Sequence, residues 1–245
     1  MIRSARSEKD EKMTANFTDK ELEAVGDRVF RRYKALPAVQ AAGPLLCVDP
    51  RLLLEAVLGL RVGFGRLSRD GKTLGMTTRD EMEVEPCVGS GEFFAFDGKT
   101  VLVEKELLGP GQTGRRNFTI AHEGCHHILW ALCPEDGAGR VVRYREAGVR
   151  TREERQADRL AAAILMHREL VGRAMFLTGL DGRIDMLNPA WRRQETAKFD
   201  SMCGMLGVSR QALCIRMTGL GLIGEEHLRA PDEILDIWMG DDETD

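Results

Sequence analysis

No apolar run in this chain approaches the roughly 20 residues that a membrane-spanning helix requires, and its opening, MIRSARSEKDEK, lacks the apolar stretch of a secretion signal. A cytoplasmic protein with no membrane partner is therefore expected. The six cysteines, Cys47, Cys87, Cys125, Cys133, Cys203 and Cys214, contain no C-x-x-C pair. That excludes a small disulfide framework and fits reduced thiols. Positive charge is not in excess either. The formal net charge is −4, so the global balance gives no reason to expect nucleic acid. What remains is ordinary globular usage, 43% apolar and 30% charged, in 245 residues, enough for one large or two small domains. Histidine is scarce too, five in the whole chain, yet three of them stand within six positions.

Those three lie in Arg115–Cys133, RRNFTIAHEGCHHILWALC, where His122, Glu123 and His126 spell H-E-x-x-H. On a helix, residues four apart share a face about 6 Å apart at Cβ, so two imidazoles at this spacing can hold one tetrahedral metal. Glu123 falls one step round, placed to act on a water rather than on the metal. This is the zinc-protease arrangement. Phe118, Leu129 and Cys133 extend the histidine face as a buried stripe. A polar pair on such a stripe needs partners, and a zinc ion would supply one. Thr113 reads as the helix N-cap, and Pro134 cannot continue the helix.

Upstream, residues 1–16 are charged and nearly free of large apolar groups and read as a disordered arm. Thr18-Asp19-Lys20-Glu21 is a capping box, followed by a helical stripe of Leu22, Val25, Val29, Phe30 and Tyr33. Asp49-Pro50 opens a short helix that Gly59 closes. Leu60, Val62 and Phe64 alternate as a strand, and Thr73–Thr78 is a second. Phe93–Phe96, then Asp97-Gly98, then Thr100–Val103 predicts a hairpin with a two-residue turn. The fold class is thus α+β, a small and mostly antiparallel sheet packed on helices. An edge strand beside the metal helix would suit an extended peptide added as one more strand. The Gly- and Arg-rich stretch Glu135–Thr151 reads as a loop that could cover the cleft.

Two histidines leave a catalytic zinc short of a protein ligand. The helix TREERQADRLAAAILM offers Glu154, on the face of Ala157, Leu160, Ala161, Ile164 and Leu165. Glu153, one residue earlier, points further round and is expected to face solvent. Asp158 is placed to hold a histidine ring nitrogen. A second role for Glu154 stays open, because Thr151 with Glu154 three residues on is also a capping box.

FTIAHEGCHH followed by EERQADRLAAAILM resembles the ImmA/IrrE family of zinc endopeptidases, with its FTxAHExxH helix and its E-x-x-A-[ND]-x-x-A-x-x-[IL]-[LM] helix. The likeness runs from near Glu21 to Ile223 and includes a family-like Gly75-Met76-Thr77 strand. It implies His122, His126 and Glu154 as ligands of Zn2+, Glu123 as general base, and a helix-turn-helix transcriptional repressor as protein substrate. Two departures stand out. His167 replaces the proline that usually ends the second helix, and the motif's central pair is Gly124-Cys125. Cys125 projects away from the histidine line, so packing suits it better than ligation. Tyr144 and His167, with His127 beside the motif, are candidate substrate-side groups.

Residues 190–223 read helix–turn–helix around Gly207-Val208-Ser209. Only Arg210 and Arg216 are at hand for phosphates in its second helix, and the chain ends in acidic MGDDETD, which argues against direct DNA binding. The layout expected is an arm at 1–16, a zinc metallopeptidase domain at 17–188, a helix pair packed on it at 189–228, and an acidic tail at 229–245. The competing reading is a DNA- or protein-binding regulator with a non-catalytic metal site.

Overall fold

The computed structural model describes residues 16–87, 89–133, 142–146, 151–180 and 192–223, and for 142–146 and 192–194 the backbone alone. All but Asn16 of the expected N-terminal arm, the acidic tail and most of the expected cleft loop lie outside them.

Helix α1 (Asp19–Lys34) begins in the reciprocal cap its sequence spells. Thr18 Oγ1 accepts from the Glu21 N–H, and the Glu21 carboxylate accepts from the Thr18 N–H. Its stripe of Leu22, Val25, Val29, Phe30 and Tyr33 is buried. A short α2 (Pro37–Ala41) follows. Asp49 caps α3 (Pro50–Leu53), which runs on through a π turn over Leu54–Leu58 and stops at Gly59, at φ +67°. Tyr33 reaches across to accept from the Asp49 N–H at 2.9 Å.

Among the described residues six strands follow in chain order: β1 (Arg61–Gly65), β2 (Thr73–Thr78), β3 (Glu81–Val84), β4 (Phe94–Asp97), β5 (Thr100–Glu104) and β6 (Val142–Glu146). One sheet has the order β1-β5-β2-β6, with β1 and β5 parallel and the other pairs antiparallel; the second sheet is β3-β4. Two expectations need correction here. The Asp97-Gly98 turn does not close a hairpin, because β4 and β5 belong to different sheets. The β2/β5 ladder (Thr77 opposite Val101) and the β3/β4 ladder (Glu81 opposite Asp97) share one register. They form a single bent ribbon, broken where Arg79-Asp80 runs beside Gly98-Lys99. Gly98 has φ +70°, and a Cβ there would lie 2.7 Å from the Arg79 carbonyl oxygen. The turn chemistry bends the ribbon rather than ending it. The other correction is β6, a strand inside the stretch read as a loop. Val142 and Tyr144 alternate with Arg143 and Arg145, a short period-2 signal hidden among glycines and arginines.

Helix α4 (Thr113–Leu132) packs on β2 and β5 from one side and on α5 (Arg152–Leu165) from the other. Its N-cap is Gln112, without a side-chain cap bond, so Thr113 is the first helical residue rather than the cap. α1 crosses α5 closely: a Cβ on Gly26 would meet Ala163 Cβ at 2.9 Å. After α6 (Arg168–Thr178) come α7 (Arg192–Leu206) and α8 (Arg210–Gly219). Phe199, Met202, Leu206, Leu213 and Met217 join the same buried cluster as Leu22, Leu54, Ile120 and Leu160.

The α7–α8 turn rests on the first turns of α4. A Cβ on Gly114 would lie 2.5 Å from the Val208 carbonyl carbon and the Ser209 nitrogen, and Asn117 Nδ2 donates to the Gly207 carbonyl at 2.9 Å. Arg216 is buried; its Nε donates to the Met166 carbonyl and its guanidinium pairs with Glu23 of α1. Arg210 makes a two-bond pair with Asp200. Both arginines singled out as phosphate contacts are thus engaged within the fold. Among the described residues, no helix is long and apolar enough to cross a membrane.

Candidate metal centre

α4 and α5 face each other through polar side chains. His122 and His126, each 1% exposed, stand one turn apart on α4 and turn their Nε2 atoms toward the same point, 3.2 Å from each other. Glu154, from the first turn of α5, brings its carboxylate to that point: Oε2 lies 3.0 Å from His122 Nε2, and Oε1 lies 3.4 Å from His126 Nε2. Among the described residues, these three form the group of potential metal donors that converges.

The two roles left open for Glu154 turn out to use different atoms. Thr151 Oγ1 caps α5 by accepting from the Glu154 backbone N–H at 3.2 Å, while the Glu154 side chain faces the histidines. Burial would raise its pKa, but hydrogen bonds from His122 and His126 hold the carboxyl well below the usual range.

Each imidazole carries a carboxylate on its other nitrogen. Asp158 Oδ1 lies 2.8 Å from His122 Nδ1, and Glu153 Oε1 lies 3.2 Å from His126 Nδ1. The expectation for Glu153 is overturned. It is buried rather than solvent-facing, and it also accepts from Trp130 Nε1 at 3.2 Å. Adjacent helical residues do differ by about 100° in direction. A histidine ring, however, presents nitrogens on two sides, so Glu154 meets the front of His126 and Glu153 the back. Burial alone would depress His126, but its bonds to Glu153 and Glu154 and the charge of Glu123 outweigh that and raise its pKa to about 9.

Glu123, fully buried, lies against β2. A Cβ at Gly75 would lie 2.5 Å from Glu123 Oε1 and 2.8 Å from its Cγ, so only glycine lets the strand approach this carboxylate. Two residues along β2, Thr77 meets His127. Thr77 Oγ1 donates to the Thr100 carbonyl at 3.2 Å, which leaves it to accept from His127 Nε2–H at 2.6 Å. Burial pushes His127 down to about 4. The motif's central pair is explained by packing. Gly124 faces Leu54, whose Cδ1 would be 2.7 Å from a Cβ, and Cys125 is buried with its thiol pushed up by desolvation.

The remaining candidates stand elsewhere. His167 is the N-cap of α6: its Nδ1 accepts from the Glu169 N–H, so Nε2 carries the proton and donates to Asp27 of α1 at 2.9 Å, with the ring stacked on Phe30. His167 thus serves as a structural post at the position where the family usually has a proline. Tyr144 has its backbone opposite Met76 on β6; its side chain lies outside the described atoms.

The donor set suits zinc. Two ligands about 2.0–2.1 Å from a tetrahedral centre lie roughly 3.4 Å apart, and the separations here are 3.0, 3.2 and 3.4 Å. Among the described residues, two imidazole nitrogens and one carboxylate converge, the number of protein donors a catalytic zinc uses.

Residues 91–184 match the profile of a peptidase family described as the IrrE N-terminal-like domain. The match takes in α4, α5 and all three converging donors. No curated protein matches the chain.

Proposed function

We propose that this chain, whose residues 91–184 match the IrrE N-terminal-like peptidase family, is a zinc-dependent endopeptidase of the ImmA/IrrE kind acting on a protein substrate. The observation that carries this reading is the convergence of His122 Nε2, His126 Nε2 and the Glu154 carboxylate beside a buried Glu123. His122, His126 and Glu154 would hold the ion. When bound, zinc supplies Lewis-acid polarisation of the scissile carbonyl and acidifies a water. Glu123 accepts the attacking water's proton at its carboxylate and delivers it to the departing amine nitrogen. Asp158 and Glu153 keep the two imidazoles turned so that each Nε2 lone pair faces inward.

The substrate class follows from the resemblance: a helix-turn-helix repressor of a mobile element or stress response. Within the chain, residues 17–188 are assigned to the peptidase, and the α7–α8 pair, residues 189–228, to its support rather than to DNA. The engagement of Arg210 and Arg216 within the fold favours this division. The test is incubation of the zinc-loaded protein with repressors encoded by neighbouring genes. Cleavage by the native protein and none by Glu123→Gln, at equal zinc content, is the expected result. Loss of zinc from Glu123→Gln would overturn the division of roles. A sequence-dependent nanomolar affinity for DNA would move the helix pair to the regulator reading.

A further inference from the structure

Glu153 and Glu154 are consecutive carboxylates at the metal centre, yet only one of them reaches the point where the histidine Nε2 atoms converge. Glu153 Oε1 has two donors, His126 Nδ1 at 3.2 Å and Trp130 Nε1 at 3.2 Å. Trp130 is one turn beyond His126 on α4, its indole stacked over that imidazole with ring centroids 5.9 Å apart. The indole N–H can only donate, so it pins the carboxylate behind the ring. A carboxylate oxygen held by two donors on that side is kept from swinging forward to compete with Glu154.

The two histidine supports also differ in setting. The Asp158 side chain is 47% exposed, whereas that of Glu153 is 7% exposed. An ionised acceptor in a dry site acts more strongly on its partner than one in water. His122 therefore has a replaceable support, since water can take the place of Asp158. His126 does not.

We propose that Glu153, anchored by Trp130, is the positioning residue of His126: it fixes the Nδ1–H tautomer and thereby sets the metal affinity of the centre. The inference rests on the metallopeptidase reading and adds to it a role outside the H-E-x-x-H motif and the Glu154 ligand. It also assigns Trp130 a function, as the clamp on Glu153.

Zinc affinity measured by competition with a chelating dye, without any activity assay, tests this. Glu153→Leu keeps bulk and removes the acceptor, and should weaken zinc by about 10- to 100-fold. Glu153→Gln keeps an acceptor oxygen and should recover most of that loss. Trp130→Phe should weaken zinc a few-fold in the native background and not at all in Glu153→Leu, because the indole acts through the carboxylate. Asp158→Asn should cost less than Glu153→Leu. Melting temperatures of the metal-free proteins run alongside. If Glu153→Leu and Glu153→Gln both bind zinc within twofold of native while melting earlier, Glu153 is a packing residue and the proposal falls. A Trp130→Phe effect that persists in Glu153→Leu overturns the clamp. A native protein that binds no zinc instead overturns the metallopeptidase reading beneath it, so the two failures are told apart by the native titration. Should Glu153→Leu fail to fold, Trp130→Phe still decides the matter, since native zinc affinity in that variant overturns the proposal.

Discussion

The two flanks of α4 are built on opposite principles. Toward α5 the contact is polar and directional: His122 and His126 meet Asp158, Glu153 and Glu154 through bonds of 2.8 to 3.4 Å. Toward β2 the fit is close: Gly75 makes room for Glu123, and a bond from His127 to Thr77 ties the helix to the strand. The α5 flank sets which donors converge, and the β2 flank sets where Glu123 stands. The two should therefore fail separately.

The largest effect is expected on the α5 flank. Glu154→Ala removes one of the three converging donors. It should weaken zinc by more than about 100-fold, beyond the range for residues that only support a ligand, and should abolish cleavage. Metal analysis after dialysis checks this, and full zinc retention would break the comparison outright. On the other flank, Glu123→Gln should lower the cleavage rate by about 10²- to 10⁴-fold, the usual contribution of a general base, with zinc content unchanged.

Gly75→Ala sharpens the comparison further, because it replaces neither a donor nor Glu123 itself. A methyl 2.5 Å from Glu123 Oε1 must displace the carboxylate. Overpacking of this kind costs roughly 1–3 kcal/mol of stability, and misplacing a catalytic group by about 1 Å costs up to 100-fold in rate. Zinc affinity should stay within twofold of native. A parallel loss of zinc would show that the flanks are coupled.

Proton linkage should be confined to the α5 flank. Metal-free His126 titrates at about 9, so at pH 7 the ring is charged, and zinc must displace that proton. Apparent zinc affinity should rise by roughly tenfold per pH unit from pH 7 and level off near pH 9. Calorimetric titrations in buffers of different ionisation enthalpy would count the proton released. The smallest effect belongs to Thr77→Val, which leaves His127 Nε2–H without its acceptor. It should cost about 1–3 kcal/mol in denaturant unfolding and leave zinc in place.

Much of this was legible in the chain because local rules and burial agreed. The Thr18–Glu21 cap, the Leu22-to-Tyr33 stripe, the spacing of His122 and His126 and the inward side of Glu154 each follow from helical periodicity alone. Glu153 was not, because periodicity assigns a direction to a Cα–Cβ bond and says nothing of the two nitrogens a histidine offers. The Asp97-Gly98 signal identified a real positive-φ turn, but local turn chemistry cannot tell a hairpin end from a bend in a longer ribbon. Gly75 was noticed only as part of a Gly-Met-Thr strand. Its contact with Glu123 joins residues 48 positions apart, and no local pattern encodes such a distance.

The buried cluster that runs from Leu22 of α1 to Met217 of α8 bears on how this protein can be handled as a reagent. The stretch matching the peptidase family, 91–184, holds every donor to the centre, yet it omits β2, α1 and the turn seated on Gly114. Cut out by itself, that stretch would bare the α5 surface that α1 covers and leave Glu123 with no strand to lie against. The recognisable part of the chain is therefore smaller than the part that must be expressed, and a fragment trimmed to the family boundaries is expected to aggregate rather than bind zinc.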